Sequence, residues 1–349
     1  MDYHPNSTVA SEGTMKPRLK TTVAGSYPMP GWLGTCPSRQ SLLDAATVIL
    51  KTHENAGIDL VSDGGVFQNY PKNAELSGTH DYYLRPLENI RTRLLRSELI
   101  HFHELEESES GSRPHGVVEG EIDEGNLNLF EDFRQTRTLT THPLKYILPG
   151  PYRLCHGLLD LFYNSKRDLC MALAGILANQ VADIDAEVVQ VDESFPMDQP
   201  GEADWAQECI NIVLDAVQTI PAVHLCFCDS ETHPFSPESW ANTIHFLNGL
   251  HAEHALLETS SRVGMKEEFL NDIHPDISIG LGVVDNRTTV VETPDEIAYR
   301  IDHVVDAIGE DRVAYVHPDC GLWMLSRTIA DRKIRALVAG RDLFEGRQP

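Results

Sequence analysis

The chain has 349 residues, 28 of them basic and 53 acidic, for a formal charge of −25. A surface of that sign repels nucleic acid and anionic lipid, which excludes both as main partners. No stretch reaches the length and apolarity of a membrane span and no signal peptide opens the sequence. The seven cysteines are scattered and odd in number, so reduced thiols in a cytoplasmic protein are expected rather than a disulfide framework.

Residues 1–17 are polar and lack an apolar period, which predicts a disordered leader before a domain spanning 18–349. From there β-branched apolar runs alternate with amphipathic stretches. Strands are expected at 21–25, 58–63, 145–150, 188–193, 222–227, 254–258, 277–284 and 313–317. Helical periods fall at 41–56, 169–182, 203–219, 237–252, 266–273, 294–308 and 326–338. Eight strands alternating with helices predict an α/β fold, a single (β/α)8 TIM barrel. The stretch 64–141 is longer than one crossover needs and reads as an insertion after strand two. It holds a helical segment around 87–109 and a hairpin around 117–129, with the charged run 104–109 a solvated face.

Barrel sites sit at the carboxyl ends of the strands, and the polar residues of this chain gather there. His224 and Cys226 close one apolar run, Glu258 closes the next, and Cys320 follows Val-Ala-Tyr-Val-His-Pro-Asp. Residues two apart on a strand share a face, so His224 and Cys226 can grip one ion together. Two thiolates, an imidazole and a carboxylate suit tetrahedral Zn2+, with the carboxylate the most easily displaced. Cys228 shares the His224 face and is read as a bystander. A lone buried cysteine or histidine would mean little; four such residues at one end of the strands point to a metal centre that does chemistry. A zinc with two thiolates binds soft sulfur and strips a coordinated thiol of its proton. The reaction class is therefore S-alkylation: a thiolate attacks a carbon electrophile. Metal-assisted hydrolysis would favour a site richer in histidine and carboxylate.

Five motifs carry a resemblance: Thr-Thr-Val-Ala-Gly-Ser-Tyr-Pro (21–28), Gln-Val-Asp-Glu (190–193), His-Leu-Cys (224–226), Glu258 and His-Pro-Asp-Cys-Gly (317–321). With these the chain resembles the catalytic barrel of cobalamin-independent methionine synthase, in which the last three supply one zinc tetrad. The resemblance is closest to the branch containing epoxyalkane:coenzyme M transferase, through Gly-Val-Val-Glu-Gly (116–120), Ala-Asp-Trp (203–205) and the stretches 317–325, 330–338 and 340–347. It implies that Ser26 and Asp192 hold the tail of the thiol. Arg287 either pairs with a sulfonate or carboxylate tail or holds Asp285, and Arg153 is a second candidate for the tail. His317 either donates a proton to an alkoxide or supports Cys320 and Asp319.

Departures shape the expected activity. Asp63-Gly64-Gly65 stands where the family has a Gly-Glu pair that helps bind the homocysteine ammonium. Asp285-Asn286-Arg287 replaces Asp-x-His, and residues 149–153 contain no folate-stacking tryptophan. The expectation is a zinc enzyme joining a small thiol to a small carbon electrophile, with epoxide addition to coenzyme M favoured. The alternative within the class is a homocysteine S-methyltransferase forming methionine from another donor, such as a methylcorrinoid. A non-catalytic zinc- or thiol-binding protein is the alternative of another class, and homo-oligomerisation stays open.

Overall fold

The computed structural model describes residues 19–36, 38–68, 78–105, 114–194, 200–226, 237–260 and 267–347. The expected leader lies outside them. In chain order the elements are β1 (Lys20–Thr21), α1 (Arg39–Ala56), α2 (Gly78–Leu84), β2 (Glu88–Arg91), α3 (Arg96–Leu105), β3 (Gly116–Asp123) and α4 (Leu129–Arg137). Next come β4 (Lys145–Pro149), α5 (Pro151–His156), β5 (Leu158–Asp160), α6 (Lys166–Val181), β6 (Val188–Ser194) and α7 (Ala203–Ala216). The last are β7 (Ile220–Cys226), α8 (Pro237–Asn248), β8 (His254–Leu257), β9 (Ser278–Val284), α9 (Pro294–Ile308), β10 (Val313–Pro318) and α10 (Arg327–Phe344). No described helix is long and apolar enough to cross a membrane.

Local chemistry sets the helix ends. Ser38 accepts from the Ser41 amide to start α1, and Gly57 ends it at φ +86°, a conformation glycine adopts without steric cost. Thr293 and Glu296 form a capping box at α9, with Pro294 as its first residue. The helices cover a curled, all-parallel sheet of seven strands in the order β1-β10-β9-β8-β7-β6-β4. Single parallel bridges, Thr22 to Leu60 and Val61 to Leu144, lie between its two outer strands.

Period-two alternation divides the sheet's two faces. Outward residues such as Val189, Val191 and Ile279 join the large core beneath the helices. Leu60, Val188, Ala222, Leu256 and Tyr315 form a separate apolar layer on the concave face. Two residues further along each strand that face turns polar: Gln190, His224, Glu258 and His317, all buried. The apolar layer thus closes one end of the concavity and the site occupies the other. Glycines on β9 make room for it. A Cβ at Gly282 would lie 2.2 Å from Asp319 Oδ1 and 2.8 Å from the Leu257 carbonyl. Gly282→Ala should therefore cost about 1–3 kcal/mol through overpacking, read as a drop in the urea midpoint; an unchanged midpoint would mean that Asp319 moves freely.

Several expected elements differ. In place of strands at 21–25 and 58–63 the chain forms a two-residue β1 and isolated bridges. Here the Asp59 carboxylate accepts both the amide and the hydroxyl of Thr21, each at 2.9 Å, so a side chain substitutes for ladder hydrogen bonds. Within the expected helix 87–109, residues 88–91 are β2, and α3 starts only at Arg96; Ile90 pairs with Val118, and Asn89 takes φ +59°. The expected hairpin at 117–129 is one strand, β3, between antiparallel β2 and parallel β5. The helix expected at 266–273 is a six-residue 3-10 turn, Glu267–Asp272.

Candidate metal centre and its surroundings

His224 lies on β7, Glu258 directly follows β8 and Cys320 follows β10 by two residues. Their ligand atoms all lie within 4.8 Å of one another, and they are the one such His/Cys/Asp/Glu group among the described residues. Cys226 ends β7, but its side chain, like all of Cys228, lies outside the described residues.

The donor set fits a soft divalent cation. His224 Nε2 lies 3.1 Å from the Asp319 carbonyl, an acceptor that assigns the ring proton to Nε2. That leaves Nδ1 buried and without a hydrogen bond, although Asp192 Oδ1 stands 3.3 Å away. We read that approach as electrostatic, because its alignment fails hydrogen-bond geometry. Burial opposes charging of the His224 ring, yet Asp192 and Glu258 beside it hold its pKa above the ordinary value. Burial, then the charges of Glu258 and Asp192, push the Cys320 thiol up to about 12. An imidazole nitrogen without a hydrogen bond, a thiol held protonated and a buried carboxylate form a donor set that suits a cation.

Asp319 is fully buried and structural in its contacts. It accepts the amides of Thr259 and Ser260 at 3.1 and 3.0 Å and the Ser260 hydroxyl at 2.7 Å, tying the loop after β8 to the Cys320 turn. Ser26 stands beside Cys320 for a related reason. Gly321 has no room for a Cβ against the Ser26 backbone, and Leu322 donates to the Ser26 carbonyl at 2.8 Å.

Asp192 is positioned by a buried chain that sequence reasoning missed. Lys145 Nζ donates to Gln190 Oε1 at 2.6 Å, and Gln190 Nε2 donates to Asp192 Oδ1, also at 2.6 Å. Burial lowers the Lys145 pKa to about 7. The signal was available: a lysine opening an apolar strand two places before Ile147 lies on the same face and has to point inward with it.

Arg287 places its guanidinium 3.4 Å from Glu258 Oε2 rather than on Asp285, which instead accepts the Arg287 backbone amide at 2.8 Å. His317 is fully buried beneath His224, its ring centroid 6.4 Å away, with Nδ1 2.7 Å from the Pro318 carbonyl. Burial lowers its pKa to about 3, so the ring is neutral and suited to support rather than to giving up a proton. Arg153 lies on α5. Its amide and that of Tyr152 each donate at 3.0 Å to Glu193, the residue after Asp192, which fastens α5 to the rim of the site.

Comparisons with known proteins bear on the family and the fold. The family model described as cobalamin-independent synthase, catalytic domain, matches residues 105–341. The chain is 28% identical to "2-hydroxypropyl-CoM lyase" of Xanthobacter autotrophicus over 92% of its own length and 94% of the relative's. It is 25% identical to "Methionine synthase" of Thermococcus kodakarensis over 94% of each chain. A solved B12-independent methionine synthase from Shewanella sp. W3-18-1, in complex with selenomethionine, superposes with a TM-score of 0.76 at 21% identity, covering 95% of this chain and 98% of that one. By the extent of the family match, this chain belongs to the cobalamin-independent synthase catalytic-domain family, that of the cobalamin-independent methionine synthases.

Proposed function

We propose that this chain is a zinc-dependent thiol S-alkyltransferase on a single, complete (β/α)8 barrel, with residues 64–141 inserted beside its mouth. The observation that carries this reading is the meeting of His224, Glu258 and Cys320 within 4.8 Å. The bridges at Leu60 and Val61 support closure of the barrel, with residues 58–63 as its second strand. Cys226 would complete the ligand set. Zinc bound there supplies a Lewis-acidic centre that holds a substrate sulfur as its thiolate. The chain's own residues do the rest. Glu258 would be the ligand a substrate sulfur displaces most easily, and Arg287, 3.4 Å away, would hold its carboxylate. Asp192, pinned by Gln190, and Ser26 orient the thiol.

Epoxide addition to coenzyme M is the favoured reaction. The thiol loses its proton, the S–C bond forms as a C–O bond of the epoxide breaks, and the alkoxide is protonated, so the sum is an addition. Two observations favour it: the likeness to the Xanthobacter relative and the backbone at Gly65. Its φ of +68° suits glycine and would strain the glutamate that the methionine synthases carry there. Homocysteine methylation is the second reading, favoured by Asp192, a carboxylate at the site edge suited to an ammonium group. Reduced cysteines fit a cytoplasmic setting for either.

Calorimetry with proton release on the zinc-loaded protein separates the two. Coenzyme M should bind and release a proton while homocysteine does not. The reverse result assigns methionine formation, and binding of neither thiol removes the thiol-transfer reading.

A further inference from the structure

We propose that Arg153, His80 and His115 form an anion subsite at the rim of the metal centre, which receives the negatively charged tail of the thiol. The inference deepens the thiol-transfer reading and rests on it for the identity of the ligand, but not for the existence of the subsite.

Three observations support it. The first is an arginine out of keeping with its surroundings. In a chain with 53 acidic and 28 basic residues, the half-buried Arg153 makes no hydrogen bond through its guanidinium and no ion pair among the described residues. Arg39, Arg91, Arg287 and Arg341 each have a carboxylate. A half-buried guanidinium without a carboxylate is available to an external one or to a sulfonate, which its planar fork matches.

The second is what packs against the same helix face. Gly157 is four residues beyond Arg153 and so lies on its face of α5. The rings of His115 and His80 stack over it, with centroids 3.7 Å apart and planes inclined by 10°. A Cβ at Gly157 would lie 2.6 Å from His115 Cδ2 and 3.5 Å from His80 Cδ2, and the His115 amide donates to the Gly157 carbonyl at 2.7 Å. Burial first, with Arg153 contributing, lowers both imidazole pKa values, that of His80 to about 3. The rings are therefore neutral. Neither ring repels Arg153 or brings a negative charge that would satisfy it, and His115 offers a ring N–H beside it.

The third is the path to the metal ligands. The Arg153 amide bonds Glu193, the neighbour of Asp192, and Asp192 stands 3.3 Å from His224. A thiol held at the metal ligands would carry its anion toward α5. The insertion then has a purpose: α2 and the residue before β3 deliver the two histidines.

The test uses the zinc-loaded protein and four probes: coenzyme M, 2-mercaptoethanol (the same thiol without the charge), ethanesulfonate (the tail without the thiol) and ethanol. Ethanesulfonate should compete with coenzyme M, and ethanol should not. Arg153→Met should lower the affinity ratio of coenzyme M to 2-mercaptoethanol at least about tenfold, as expected for losing a hydrogen bond to a charged group. Arg153→Lys should restore part of that ratio, and His115→Phe, which keeps the stack, should lower it several-fold. Equal losses for both thiols would make Arg153 merely structural and overturn the subsite. So would a wild-type protein in which ethanesulfonate does not compete, a result that needs no variant to fold. Ethanesulfonate binding that depends on Arg153, in a protein that binds neither thiol, would instead keep the subsite and remove the thiol-transfer reading.

Discussion

Cys320→Ser should abolish zinc binding and activity together, with zinc affinity lowered by more than about 100-fold. Changing residues that only support a metal ligand lowers affinity 10–100-fold, and loss of a ligand exceeds that. The local electrostatics explain why sulfur is required. The Cys320 thiol sits among Glu258 and Asp192 in a buried site, and its pKa stands near 12. Only a bound cation brings it to the thiolate at neutral pH. A serine hydroxyl, far less acidic, would remain protonated and leave Nδ1 of His224 and the Glu258 carboxylate facing a poor third donor. Metal binding should also release protons and weaken as pH falls. Cys155→Ser is the control: Cys155 is buried in the core, its thiol donating to the Tyr152 carbonyl at 3.2 Å, and its loss should spare the bound zinc. Zinc content by elemental analysis and the dissociation constant against a competing chelator read both outcomes. A metal-free Cys320→Ser protein with full activity would falsify the mechanism.

The parts of this molecule that a sequence displays are those with a period or a local rule. The strands 188–194 and 278–284 are apolar runs of the right length, and α9 announces itself through Thr293, Pro294 and Glu296. His224, Glu258 and Cys320 were legible because each ends or follows such a run, so one topological rule brings them to one rim. What stayed hidden depends on contacts between distant segments. No local rule tells that Asp59 replaces ladder bonds of β1, or that Glu88–Arg91 leaves a helix-like charge pattern to pair with β3. The His80–His115 stack joins residues 35 positions apart across the insertion. Arg287 reaches Glu258 rather than the nearer Asp285 because the loop turns back on itself, with Asp285 already engaged by a backbone amide.

Arg341→Met should cost about 3–5 kcal/mol, the usual effect of removing one partner from a buried ion pair. Arg341 is fully buried on α10, and its Nη1 donates at 2.6 Å to both the Leu19 carbonyl and Asp59 Oδ2. That same Asp59 oxygen accepts the Thr21 amide and hydroxyl. One carboxylate thus joins the segment leading into Leu60 to a first strand only two residues long, and Arg341 keeps it charged. Burial alone would raise the Asp59 pKa; the bonds from Arg341 and Thr21 outweigh it and leave the folded value below the ordinary one. The sign follows from linkage. Stability from this carboxylate is fully present above its unfolded pKa, near 3.9, and is lost as pH falls through the lower folded value. Thermal melts between pH 2.5 and 7 should therefore show the two proteins far apart at neutral pH and converging below about pH 4. A constant separation down to pH 2.5 would mean that Arg341 acts by packing alone. The same seam carries the loop from Thr22 to Ser26, and Ser26 braces Gly321 beside the Cys320 ligand. Loosening it should also weaken zinc binding at a distance, without touching any ligand.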